Sequence, residues 1–212
     1  MAETEGVIQF ECCLAAPGAE LPDDLAQPLL AWRKVLRRLE LIGQTEARYG
    51  GLGYGNISRR VPGAAGGFLI TASQTSGIAE AGVEHLVWVR RWDLGRFQVE
   101  AEGALPPSSE SLTHAMLYAN DPRVNWVLHG HCPDIWQNAA AAGLAAIDAD
   151  VGYGSPQMAA AVTALLRNHR ARPLVFVTLG HQDGVFACGG SAEATGGALV
   201  AALARSLACR KP

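Results

Sequence analysis

Two apolar periodicities alternate along this chain, and each predicts a different kind of element. Apolar residues recur at every third or fourth position between residues 25 and 39, which predicts a helix that ends before a glycine cap at Gly43. This repeat consists of Leu25, Leu29, Trp32, Leu36 and Leu39. Helices are also expected over 109–120, where Ser108 would be the N-cap, and over 134–142, 156–168 and 192–209.

Strands are expected where short apolar runs are bounded by glycine-rich or polar turns. These runs cover residues 6–14, 56–58, 68–71, 87–91, 97–100, 124–131, 174–178 and 185–188. Hairpins interleaved with helices indicate an α/β fold with a mixed, largely antiparallel sheet that carries helices on its faces. Because nothing in 212 residues demands two domains, we expect residues 1–212 to form one domain, with 1–24 as an N-terminal strand and lead-in.

Composition and charge narrow the classes of function. Hydrophobic residues make up 49% of the chain and charged residues 17%, which is typical of a globular protein. A net charge of −3, with 17 scattered lysine and arginine residues, disfavours a nucleic-acid partner. No apolar run reaches the roughly 18 to 20 residues that cross a bilayer, and the N-terminus is acidic at Glu3 and Glu5. We therefore expect a cytoplasmic protein that binds neither nucleic acid nor membrane.

The five cysteines form no CxxC pair and have no regular spacing, so they do not indicate a disulfide framework. Most are expected to be buried as small hydrophobic residues. Cys132 follows a histidine, but the alternation of side chains along a strand turns it to the opposite face.

Three histidines carry the candidate chemistry. His129 and His131 end a buried apolar strand, and residues two apart on a strand point to the same face. Both imidazoles can therefore reach one ion. His181, in a glycine-flanked turn much further along the chain, is a candidate third ligand. Two ligands on a strand, a distant third and an open position are typical of a catalytic zinc centre.

Polar residues at turns add a second candidate feature. Glu110 falls in the first turn of a predicted helix, near backbone amides and the hydroxyls of Ser108 and Ser109 that could hold an oxyanion. By itself this carboxylate is better explained as a helix-stabilising acid. His114 lies four residues later on the same helical face, where a hydrogen-bonding role beside the ligands is favoured over metal ligation. The dipeptides 55–56 and 76–77 can place backbone amides around a phosphate, although most glycine turns only turn the chain.

Taken together, these segments resemble the class II aldolase and adducin-head family. The resemblance covers residues 31–203 and rests on five motifs in the family's order. They are Gly55-Asn56-Ile57-Ser58, Leu69-Ile70-Thr71 with Ser76-Gly77, Pro107-Ser108-Ser109-Glu110, His129-Gly130-His131 and Gly180-His181. The family includes sugar-phosphate aldolases, 4-epimerases, dehydratases and the non-enzymatic adducin head.

The resemblance implies a three-layer α/β/α sandwich, assembled as a homotetramer, with a divalent ion, Zn²⁺ by preference, in a cleft at the subunit boundary. It implies that His129, His131 and His181 are the metal ligands and that Glu110 is the acid/base. It also implies a cradle for a substrate phosphate, in which Gly55 supplies a close turn. The cradle residues would be Asn56, Ser76, Gly77, Ser108 and Ser109.

Two departures from the family pattern bear on the substrate. The chain carries about two more residues between Thr71 and Ser76 than the aldolases do, so the resemblance does not identify which hydroxyl would contact a phosphate. Family aldolases also use tyrosines to protonate the leaving aldehyde, one of them in a C-terminal tail. The corresponding stretch 146–150 has no tyrosine and no tail follows Pro212, which leaves Tyr153 as the nearest candidate.

The leading hypothesis is a metal-dependent aldolase-type lyase acting on a small keto-sugar or sugar phosphate. The ion would stabilise the enediolate that forms as the carbon–carbon bond breaks, and Glu110 would move the proton. Family epimerases share similar residues but carry Asp at the position of Glu110, which favours the lyase. A dehydratase and a non-catalytic interaction module remain alternatives; metal analysis would test the module.

Overall fold

The computed structural model describes residues 7–18, 21–63, 66–152 and 155–209, and within them the chain forms one nine-stranded sheet. The strands are β1 Glu11–Ala15, β2 Asn56–Arg60, β3 Phe68–Thr71, β4 Leu86–Asp93, β5 Gln98–Glu102, β6 Trp126–His131, β7 Ala145–Ile147, β8 Leu174–Thr178 and β9 Gly184–Gly189. Their order across the sheet is β1-β5-β4-β3-β2-β6-β9-β8-β7. Only β1–β5 and β7–β8 pair in parallel, so the sheet is mixed and largely antiparallel, as expected.

Helices cover both faces of this sheet. They are α1 Asp23–Arg38, α2 Ser111–Asn120, α3 Pro133–Gln137, α4 Pro156–Asn168 and α5 Ala192–Ala208. One apolar cluster joins α2 and α4 to one face, through side chains such as Met116 and Val162. A second cluster joins α1, α3 and α5 to the other face, through side chains such as Leu29 and Leu199. The expected three-layer α/β/α arrangement is confirmed. None of the helices in the described ranges is both long and apolar enough to cross a membrane.

The end of α1 differs from the expectation and bears on the site. The helix ends at Arg38, and Glu40 follows in the left-handed region with a φ of 58°, so the expected cap at Gly43 is wrong. Gly43 instead forms an antiparallel bridge with Tyr54. This path brings the Leu41 carbonyl against β6, where it accepts a hydrogen bond of 2.9 Å from the backbone N–H of His131.

The buried face of α1 is also not the expected one. Leu29 and Leu36 are fully buried, but Leu39 is 36% exposed. Arg33 takes a buried position between these leucines and is 2% exposed, whereas Trp32 is only partly buried. A charged side chain therefore lies where the apolar repeat predicted an aromatic one.

Two further elements differ in extent. α3 ends at Gln137, so the helix expected to reach residue 142 is one and a half turns long and continues as turns. The short edge strand β7 follows, which the sequence did not predict because only three residues form it. At the N-terminus the expected strand over 6–14 is observed as Glu11–Ala15, and Gly6 lies outside the described residues.

Candidate functional site

The three candidate histidines converge on one point at the C-terminal end of the central strand β6. The alternation along β6 turns His129 and His131 to the same face, and the turn between β8 and β9 brings His181 beside them. One ring nitrogen of each histidine lies within 4.8 Å of the others. Cys132 packs in the opposite apolar layer, as expected.

Two hydrogen-bonding contacts orient the ring of His129. Its Nδ1 lies 3.1 Å from the Val185 carbonyl oxygen, and because a carbonyl only accepts, Nδ1 carries the proton. The lone pair of His129 is therefore on Nε2, which lies 3.2 Å from Nε2 of His131. The space between the rings accommodates either a shared proton or a cation.

The protonation state of these rings fits a divalent cation. His129 and His131 have no exposed surface, and His181 is 5% exposed. Burial lowers the pKa of both His129 and His131 well below the ordinary histidine value, and the neighbouring histidine charges lower it further. Because a metal ion binds the neutral imidazole, the site holds two of its three candidate ligands in the required form. Three neutral nitrogen donors are a common zinc set.

Glycines on either side let the backbone approach this cluster. A Cβ atom at Gly130 would lie 2.9 Å from the Leu41 carbonyl oxygen, so the residue between the two histidines has to be glycine. A Cβ at Gly180 would collide with the carbonyl oxygen of Val151. The glycines in the two histidine motifs thus have a steric role.

A group of polar residues that the sequence analysis missed contacts the backbone and the ring of His131. Arg48 donates to the His131 carbonyl at 3.1 Å and to the Tyr49 hydroxyl at 2.9 Å, and Tyr49 donates to Asp183 Oδ2 at 2.7 Å. The Tyr49 ring lies edge-on to the His131 imidazole, with 4.8 Å between ring centroids. The proximity of Asp183 to His181 in sequence was the only local signal for this group.

Glu110 lies beside the histidines. Its Oε1 is 3.3 Å from Nδ1 of His181, and the Glu110 side chain is 2% exposed. The helix begins at Ser111, two residues later than predicted, so Glu110 is the N-cap residue. Ser108 is consequently not the N-cap; its hydroxyl accepts a weak bond of 3.4 Å from the Glu110 backbone N–H. As the N-cap, Glu110 lies outside the regular helix and its carboxylate reaches the third histidine.

Five of the six residues expected around a phosphate line a small polar cleft next to this cluster. They are Gly55, Asn56, Ser76, Ser108 and Ser109. The sixth, Gly77, lines a separate surface groove with Gln44 and is not part of the cleft wall. In the part of the chain that the structure describes, none of the residues that line the cleft is a lysine or an arginine.

Hydrogen bonds between loops hold the cleft together. The Ser76 hydroxyl donates to the Gly55 carbonyl at 2.9 Å, and the Gln74 side chain accepts from the Gly53 N–H at 3.1 Å. Gly55 has a φ of 74°, and a Cβ there would lie 2.8 Å from the Leu41 carbonyl oxygen. The extra residues between Thr71 and Ser76 therefore form part of the cleft wall, through Ser73 and Gln74.

His114 lies behind the cluster, and Phe186 packs between its ring and that of His129. Its Nδ1 is 2.6 Å from the Ser58 hydroxyl, and its ring lies edge-on to Phe186, which stacks on His129. Complete burial lowers the pKa of His114 to about 3. Within the described ranges no hydrogen bond joins His114 to the three candidate ligands, so it is a neutral packing residue. Tyr153, the expected proton donor, lies outside the described residues.

Comparison with known sequences places the chain in a family. The sequence model of the class II aldolase and adducin N-terminal domain matches residues 44–203. The chain belongs to this family. No curated protein sequence matches it significantly.

Solved structures of class II aldolase relatives share the fold at low sequence identity. L-fuculose-1-phosphate aldolase from Thermus thermophilus is 20% identical over 88% of this chain and 93% of its own, with a TM-score of 0.64. A sugar-phosphate aldolase from Thermotoga maritima is 12% identical over 89% and 97%, with a TM-score of 0.68. YgbL from Escherichia coli is 18% identical over 88% of each chain, with a TM-score of 0.64. These similarities support the fold and leave the reaction to be argued from the site.

Proposed function

We propose that this protein is a metal-dependent, aldolase-type lyase that acts on a small, phosphorylated keto-sugar. The observation that carries the proposal is the convergence of three buried histidines with Glu110 alongside. Two of the structural relatives are named as aldolases of a sugar phosphate, which supports the same substrate class.

In this proposal His129, His131 and His181 hold Zn²⁺. The ion, when bound, supplies the Lewis-acid charge stabilisation that an enediolate requires. The protein's part is to keep the donor nitrogens neutral and oriented. The Val185 carbonyl does so for His129, and the group of Arg48, Tyr49 and Asp183 restrains His131.

Glu110 is the proposed acid/base. In the cleavage direction, the hydroxyl next to the breaking bond passes its proton to the Tyr153 phenolate, the carbon–carbon bond breaks and its electron pair forms the enediolate. Glu110 then delivers a proton to the enediolate carbon, and in synthesis it removes the same proton. Its nearly complete burial excludes water from this transfer. Tyr153 is thus the proposed proton donor to the aldehyde oxygen in synthesis, and it accepts the same proton in cleavage.

The polar cleft is the proposed phosphate site. Asn56, Ser76, Ser108 and Ser109 offer amide and hydroxyl donors around it, and Gly55 allows the close turn that brings the loops together. Gly77 lines the neighbouring groove, and in this proposal its backbone amide, which follows Ser76, also binds the phosphate. We also infer a homotetramer from the family resemblance, which light scattering of the purified protein would test.

Incubation of the zinc-loaded protein with a panel of keto-sugar phosphates tests the function. Release of an aldehyde together with dihydroxyacetone phosphate or a related ketone is the expected result. A sugar phosphate inverted at one carbon would identify an epimerase, and loss of water a dehydratase. Protein that binds neither zinc, cobalt nor manganese would contradict the enzyme and favour an interaction module.

A further inference from the structure

A buried arginine lies behind the turn that closes the polar cleft. Arg33, on α1, is 2% exposed and occupies the core-facing stripe of the helix. Its guanidinium donates to the carbonyl of Thr75 at 2.6 Å and to that of Ile78 at 2.8 Å. A longer contact of 3.5 Å reaches the Ser76 carbonyl. Arg33 thus connects α1 to the Thr75–Ile78 turn through hydrogen bonds.

The charge of Arg33 has no carboxylate partner in the described part of the chain. All its hydrogen-bond acceptors there are peptide carbonyls. Glu80, whose charge acts on Arg33, is exposed and pairs with Lys34 at 2.8 Å. Burial, followed by the charge of Arg37, lowers the pKa of Arg33 to about 10, so the group stays charged at neutral pH. Burying a cation without an anion costs desolvation free energy, so we expect Arg33 to have a role that offsets this cost.

The peptide dipoles of the turn extend the effect of this charge to the side of the turn that faces away from Arg33. In a trans peptide the C=O and N–H point in opposite directions. Because the carbonyls of Thr75 and Ser76 point towards Arg33, the amide N–H groups of Ser76 and Gly77 point away from it. Over the residues that the structure describes, neither N–H donates to any acceptor. The Thr75 carbonyl also accepts from Ile78 N–H at 3.0 Å, which places Ser76 and Gly77 at the corner of a tight turn.

On that side of the turn, Ser76 lines the polar cleft and Gly77 lines the neighbouring groove. Among the described residues, the lining of the cleft provides hydroxyls, amides and backbone but no lysine or arginine, although its proposed ligand is an anion. We propose that Arg33 supplies the missing positive charge: it polarises the Thr75–Ile78 turn so that the Ser76 and Gly77 amides bind the anionic group of the substrate. This rests on the proposed phosphate site, and Arg33 acts there as a positioning residue that does not touch the ligand.

Binding of inorganic phosphate to the zinc-loaded full chain, measured by titration calorimetry, tests this role. Arg33→Met should weaken phosphate binding about tenfold, the order expected for the loss of one nearby unit charge. Arg33→Lys keeps the charge and should recover most of that loss. Lys34→Met removes a charge from the next position of the same helix, at an exposed site, and should leave the affinity unchanged.

Ser109→Ala separates failure of this inference from failure of the phosphate site. If Ser109→Ala weakens phosphate binding and a folded Arg33→Met does not, the cleft stands and the role of Arg33 is overturned. If the original chain binds no phosphate, or Ser109→Ala binds it equally well, the phosphate site fails and the inference fails with it.

A measurement on the unmodified chain covers the case in which Arg33→Met does not fold. Amide ¹H–¹⁵N spectra recorded during the phosphate titration should show downfield shifts of the Ser76 and Gly77 amide protons. Resonances of these two amides that stay in place while phosphate saturates the cleft would overturn the inference without any substitution.

Discussion

The histidine cluster and the polar cleft adjoin each other but are built in different ways. Two of the three histidines lie on the central strand β6. The strand fixes their spacing, and pairing with β2 and β9 fixes their position in the sheet. The cleft is assembled from three loops, around residues 53–56, 72–76 and 108–109. Loop-to-loop hydrogen bonds, such as Ser76 to Gly55, and the buried cation of Arg33 hold these loops.

This difference implies that the two regions fail separately. Because the geometry of the histidines is carried mainly by the backbone of β6, changes to the loops should leave metal affinity intact. Because the cleft depends on individual side-chain hydrogen bonds, single substitutions there should reduce anion binding and leave the metal in place. Substitutions and a change of pH can test this separation, with effects that range from very large to small.

The largest effect is expected from His129→Ala. Removing a ligand from the strand should weaken zinc binding more than about 1,000-fold, beyond the roughly 10- to 100-fold that follows loss of a ligand's hydrogen-bond partner. Competition with a chromophoric chelator measures this affinity. His169→Ala, at an exposed histidine, and Ser109→Ala, in the cleft, should bind zinc as the original chain does. Zinc affinity that survives His129→Ala would remove this histidine from the metal site.

Glu110→Gln is expected to separate metal binding from chemistry. The amide keeps the shape of the carboxylate but cannot take up the proton, so turnover should fall at least about 100-fold while zinc content is unchanged. Steady-state kinetics with a confirmed keto-sugar phosphate, together with metal analysis of the same sample, measures both. Glu193→Gln, at an exposed position on α5, is the matched control. Normal turnover in Glu110→Gln would exclude Glu110 as the acid/base.

The sequence predicts the histidine cluster more completely than it predicts the cleft. The histidines follow from a local rule, the period of two along a strand, and the position of His181 follows from its motif. The same holds for most helices and strands, whose apolar periods are local. Helix ends follow less directly from local patterns: a serine cap is predicted at Ser108, but the helix starts at Ser111, so that Glu110 faces His181.

What the sequence could not predict depends on contacts between distant segments. Arg33 has the spacing of a core residue on α1, but its charge made the neighbouring Trp32 the natural choice, and its carbonyl partners lie more than 40 positions away. Tyr49 reaches Asp183 across 134 positions. No local pattern specifies such pairs, because they form only when the sheet brings the loops together.

Acidification should destabilise the folded chain through its buried histidines and not through the cleft. Each histidine that burial keeps neutral takes up about one proton when the chain unfolds. Below pH 6.5 the unfolded chain protonates His114, whereas the folded chain keeps it neutral down to about 3. The unfolded state therefore binds more protons in this window, and stability falls as the pH falls below 6.5. For His114 alone the slope is about 1.4 kcal/mol per pH unit.

Urea unfolding of the zinc-free protein at about pH 7 and about pH 5 measures this slope. His114→Gln should make the dependence on pH shallower by that one-proton slope, whatever it does to the stability near neutral pH. Ser109→Ala should leave the slope unchanged, because the described residues that line the cleft include no histidine. An equal slope in the chain with His114→Gln would mean that His114 is not held neutral by burial.

The smallest effect is expected from Tyr49→Phe, which tests whether the restraint on His131 extends beyond the strand. The phenyl ring keeps the edge-on contact with His131, but the hydroxyl that joins Arg48 to Asp183 is lost. Because β6 still fixes the backbone, zinc affinity should fall only about three- to tenfold, at or below the lower end of the cost of losing a partner that orients a ligand. Tyr118→Phe removes a more deeply buried hydroxyl that bonds Ser58, away from His131, and should leave zinc binding unchanged. If both variants bind zinc as the original chain does, the strand alone positions His131; a loss as large as that of His129→Ala would instead show that the loop residues, and not β6, determine the geometry of the metal site.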